Sequence, residues 1–148
     1  MENNARKKSV EVLSEIYRNA HLALQSISNI LPAVENEEIK NELMRQHEEY
    51  ERFSAKAAQL ARDLDAELKE PNPVKKMMMW GSIKMSTLTD NSPSHIADMM
   101  LQGTVMGISA LRTSAGEINC DNSNAVCELL DEMIKAEEEF EKKWKEFL

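Results

Sequence analysis

The chain has 148 residues, of which 42% are hydrophobic but only 5% aromatic, with four glycines and four prolines among 30% charged residues. That is the composition of one helical domain spanning 1–148, too short for two and unlike a sandwich or barrel. A formal net charge of -8 argues against a general phosphate-backbone binder, so nucleic acid is not an expected partner.

No apolar core follows the polar start of the chain, and no uninterrupted apolar run approaches the ~20 residues a membrane span needs. A cytoplasmic protein with no membrane partner is expected. The two cysteines, Cys120 and Cys127, match neither a zinc motif nor a disulfide framework. They read as reduced, small buried hydrophobes.

The first helix is predicted from about Ala5 to Leu31, where Val10, Leu13, Tyr17, Ala20, Leu24, Ile27 and Leu31 recur at helical spacing and Pro32 stops it. The second starts at the N-cap Asn36, with Glu37 and Glu38 favoured in its positive first turn. It continues to about Leu68, before Pro71 and Pro73, on a seam of Ile39, Leu43, Gln46, Tyr50, Phe53, Ala57, Leu60 and Leu64. The short link between the two implies antiparallel pairing.

Between Pro71 and Pro93 the run Met77, Met78, Met79, Trp80 and Ile83 predicts a short extra helix. Its apolar residues point to nearly every side, which suggests contact with a second chain and hence a homodimer. Ser92 then caps a third long helix with Pro93 at its first position, ending near Gly116. Its expected stripe is Ile96, Met99, Met100, Gly103, Met106, Gly107, Ala110 and Leu111, with Gly103 and Gly107 admitting a close neighbour.

The fourth helix begins at Asp121, Asn122 or Ser123 and runs to the C-terminus, its outer face laced by Glu138 with Lys142, Glu139 with Lys143 and Glu141 with Lys145. Its seam is Val126, Leu130, Met133, Phe140, Trp144 and Phe147, and Glu137 fills the place between Met133 and Phe140. Two helical hairpins with an extra helix in the connection make an all-α four-helix bundle.

This layout, together with stretches such as NELMRQHEEYERF and SHIADMMLQGTVMGI, resembles the ferritin-like superfamily, in particular small Firmicutes bundles of the same helix order. In metal-bearing members, a Glu from each of two helices and a Glu-x-x-His pair from each of the other two hold two metal ions. Here His21, His47 and His95 are preceded at that spacing by Arg18, Met44 and Ser92, so the di-iron set is missing and ferroxidase or oxygenase activity is not implied.

A reduced site for one divalent metal stays open. If the 71–93 connection crosses the bundle, counting about nine residues, or about 14 Å, from one end brings His21, His47 or Glu48, Gly103 and Glu137 to one level. If it turns back instead, Glu137 lies level with Tyr17 and Phe53. The simpler expectation is an acid that reaches water or bonds the Tyr17 hydroxyl. Gln46 reads as a polar contact that sets register, and His95 as part of the helix start. No nucleophile-base pair, glycine-rich phosphate loop or complete ligand set is apparent, which favours a non-enzymatic structural or interaction module without a cofactor.

Overall fold

The computed structural model describes residues 2–69, 90–117 and 124–148. They form helices α1 (Glu2–Ile30), α2 (Glu37–Asp63), α3 (Pro93–Glu117) and α4 (Ala125–Lys145), with a single 3-10 turn at Leu31–Ala33. The four helices pack together as a bundle. The expected methionine-rich helix, Cys120, and the three proposed starts of the last helix fall outside the described residues.

Local chemistry explains the ends. Pro32 lacks the N–H that would continue α1, and the chain tightens into the 3-10 turn around it. Asn36 caps α2 by accepting the Ile39 N–H at 3.0 Å. α2 ends at Asp63 rather than near Leu68, because Asp65 takes a left-handed conformation at φ 56°. The Ala66 N–H then returns to the Ala61 carbonyl at 2.8 Å and the Asp65 N–H to that of Arg62 at 2.9 Å. This closure usually uses glycine; aspartate is among the few other residues that tolerate it. Arg6 of α1 donates to the freed Leu64 and Asp65 carbonyls at 2.8 and 3.2 Å, covering a helix end that would otherwise lack donors. Asn124 caps α4, accepting the Val126 N–H at 2.9 Å.

Contacts between helices fix their directions. Arg6 meets the end of α2 while His21 meets Ser54, so α1 and α2 run oppositely. Gln46 meets Trp144 and Tyr50 meets Phe140, so α2 and α4 also run oppositely. Asn91, two residues before α3, donates to the Ala33 carbonyl at 3.3 Å. α3 therefore starts at the end where α1 and α2 meet, although α2 finishes at the other end.

The core runs through all four helices, from Leu13, Ile16 and Ile27 to Leu43, Phe53, Ile96, Leu111, Met133, Phe140 and Trp144. The stripes are rotated from those expected. In α1 the buried residues are Val12, Leu13, Ile16, Ala20, Ile27 and Ile30, while Val10, Tyr17, Leu24 and Leu31 are half-buried. In α3, Ala97, Thr104 and Ile108 face inward, whereas Met106 is 73% exposed and Gly103 is exposed. Thr104 can be buried because its hydroxyl donates to the Met100 carbonyl at 2.7 Å within the helix. Lys145 pairs with Glu141 as expected, but Lys142 pairs with Glu139, Lys143 with Glu146, and Glu138 with Arg112 of α3.

Candidate functional site

Glu137 is inside the bundle, 1% exposed, at the point where α1, α3 and α4 converge. It reaches neither water nor Tyr17. Asn19 of α1 donates from Nδ2 to Glu137 Oε1 at 2.5 Å, and Glu137 Oε2 has no hydrogen-bond partner among the described residues. Gly107 of α3 makes this packing possible: a Cβ there would stand 2.5 Å from Glu137 Oε2 and 2.8 Å from Asn19 Oδ1. Gly103, by contrast, has nothing within 4 Å of the corresponding point. Of the two glycines expected to admit a neighbour, only Gly107 does so.

The electrostatics follow from burial. A carboxylate with one donor and one bare oxygen is poorly solvated, and burial pushes the Glu137 pKa up to about 8 against the smaller opposing effect of the Asn19 bond. At neutral pH the neutral acid therefore predominates. Tyr50 of α2 is shifted well above its ordinary range, first by burial and then by the charge that Glu137 carries when ionised.

About two helical turns toward the C-terminus of α4 is a second polar group. Trp144 Nε1 donates to Gln46 Oε1 at 3.2 Å, and Gln46 Nε2 donates to Glu42 Oε1 at 2.9 Å. Arg45 completes the chain with two bonds to Glu42, at 3.1 and 2.5 Å, and its guanidinium also lies 5.6 Å from the Phe140 ring centre. Gln46 is buried at its seam position with a partner on each side.

The three candidate metal ligands are not gathered. His47 Nδ1 lies 2.6 Å from Glu51 on its own helix, His21 Nε2 lies 3.0 Å from Ser54 of α2, and Glu137 is held by Asn19. Among the described residues, no group of three or more His, Cys, Asp or Glu is placed to hold a metal ion. α3 does start at the end where α1 and α2 meet, the arrangement expected to bring Glu137 level with two histidines, yet the three candidates are not gathered. Depth separates them as well as azimuth: the Tyr50–Phe140 and Gln46–Trp144 contacts set Glu137 level with about Phe53, so His47 lies about six residues, or about 9 Å, nearer the end where α1 and α2 meet, and it is Gly107, not Gly103, that stands beside Glu137.

The His21–Ser54 pair, with the Tyr17 ring 4.2 Å from that of His21, was not anticipated. By distance it resembles a base and nucleophile. Ser54 lies in the middle of α2, however, where the neighbouring amides are engaged in the helix and offer no oxyanion site. At the start of α3, the His95 N–H is received by Ser92 Oγ at 3.4 Å, the local capping role expected. Cys127 is disulfide-bonded rather than reduced.

Asn19 is the site residue that sequence reading missed. Its position three after Ile16 and one before Ala20 places it beside the buried stripe, which was the available signal. Fold and site together define an all-α four-helix bundle with an acid-amide contact closed against a glycine. No protein-family model, curated protein or solved structure matches the chain.

Proposed function

We propose that the chain is a non-enzymatic bundle of ferritin-like type, serving as a structural and interaction module. The observation that carries this reading is the Glu137–Asn19–Gly107 contact. It occupies the interior of the bundle with a neutral acid, an amide and a close-packed backbone, an arrangement that joins three helices, and among the described residues Glu137 belongs to no group of three or more His, Cys, Asp or Glu placed to hold a cation. The Gln46–Trp144 bond joins α2 to α4 in the same manner. Both contacts specify how the helices fit.

The charged outer faces of α1, α2 and α4 support a soluble module. Among the described residues no helix is long and apolar enough to cross a membrane.

Elemental analysis of protein purified without chelator, repeated on Glu137→Gln, tests the reading. No stoichiometric metal is expected in either. One metal ion per chain, lost in the variant, would overturn the proposal in favour of a reduced metal site.

A further inference from the structure

The outer face of α3 differs from those of the other described helices. From Met99 to Leu111 the sequence contains no charged residue, within a chain that is 30% charged. The exposed sides of the other helices carry Lys7, Lys8 and Arg18 in α1, Glu48 and Arg52 in α2, and Glu132 and Lys135 in α4. On α3 the adjacent Val105 and Met106 are 45% and 73% exposed. Gly103, one turn earlier, opens the backbone to close approach.

We propose that this face binds a second copy of the chain, α3 against α3 in antiparallel orientation about a two-fold axis between Val105 and Met106. This deepens the interaction-module reading and rests on it. Charge favours a self-contact here: two copies of net charge -8 repel least through the face that carries none. The ends of the stripe then complement each other. Asp98 and Arg112 lie almost equally far from the axis, so antiparallel pairing sets each Asp98 beside Arg112 of the second copy, ~10 Å from the axis along the helix. Gln102 likewise opposes Ser109. Asp98 now accepts from Gln102 at 2.9 Å, and Arg112 shares one nitrogen with Glu138 at 2.9 Å, yet Arg112 remains 61% exposed and retains free donors toward the second copy.

A contact made by one helix from each copy is smaller than a standard stable interface, so the dimer should be weak and reversible, with a Kd of about 10 to 100 μM. Sedimentation equilibrium of the full chain from about 1 to about 500 μM should resolve monomer and dimer across that range. Met106→Glu should weaken the dimer about tenfold or more by placing two carboxylates at the axis. Asp98→Arg and Arg112→Asp should each dissociate it by opposing like charges, while an equimolar mixture of the two variants should pair, because each junction then unites Arg with Asp. All three side chains are exposed, and unchanged melting of each variant would show that its fold is intact.

A wild type that stays monomeric throughout the range would overturn the proposal. So would a dimer unaffected by Met106→Glu, or a mixture that associates no better than either variant alone. These outcomes concern the surface, whereas the metal analysis concerns the interior, so failure of either idea is distinguishable from failure of the other.

Discussion

Raising the pH should destabilise this protein through Glu137, in a range where ordinary carboxylates no longer titrate. In the fold the acid keeps its proton up to about 8, because burial disfavours the anion; in the unfolded chain it loses the proton near its ordinary value of 4.5. Between those values the native state binds more protons than the unfolded state, so stability falls as pH rises. The stabilisation is fully present below 4.5, declines by about 1.4 kcal/mol per pH unit, and is lost above about 8, a total of about 5 kcal/mol. For a domain stable by about 5 to 15 kcal/mol that is a large fraction.

The assay is urea unfolding at intervals from pH 5 to 9 on the wild type and on Glu137→Gln. Glutamine has the shape of the protonated acid and no ionisation, so the other titrating groups cancel in the difference. The two proteins should lie within about 1 kcal/mol at pH 5. The variant should become the more stable by several kcal/mol at pH 9. A difference that stays constant between pH 5.5 and 8.5 would refute the burial argument, whatever its size.

Gly107→Ala should cost about 1 to 3 kcal/mol by calorimetry, since the new methyl displaces the Glu137 carboxyl or the Asn19 amide, whereas Gly103→Ala should stabilise by up to about 1 kcal/mol through helix propensity alone. Equal effects at the two sites would remove the assigned close contact. Gln46→Leu should lose about 1 to 3 kcal/mol because the Trp144 N–H and Glu42 each forfeit a buried partner; retention of full stability in denaturant would mean that neither bond matters. Asn36→Ala should lower stability by about 1 kcal/mol with no change in association, as read by thermal melting and sedimentation.

Much of the helical layout was legible because its causes are local. Pro32 and Asn36 act on backbone groups a few residues away, and their effects appear where the sequence places them. The end of α2 was misplaced because the left-handed turn at Asp65 is stabilised partly by Arg6, a residue 59 positions distant. In α3, nonpolar residues lie on several faces, so periodicity did not separate the inner side from the outer. Met106, which the helical spacing places inward, lies outward. The lateral direction of a stripe depends on which helices flank it, and that is a property of the assembled bundle.

The candidate site divides in the same way. That Glu137 occupies an apolar seam is a consequence of spacing along one helix, and its neighbours at Met133 and Phe140 dictate its burial. Its partner is not encoded by spacing. Asn19 and Gly107 meet it from helices distant in the chain, in a bundle where α3 starts at the end where α1 and α2 join. By itself the sequence determined four helices, one acid in the interior and one uncharged stretch. Tertiary structure decided what the acid bonds to and which way that stretch faces, because helix azimuth and lateral order arise only when several faces compete for the same core.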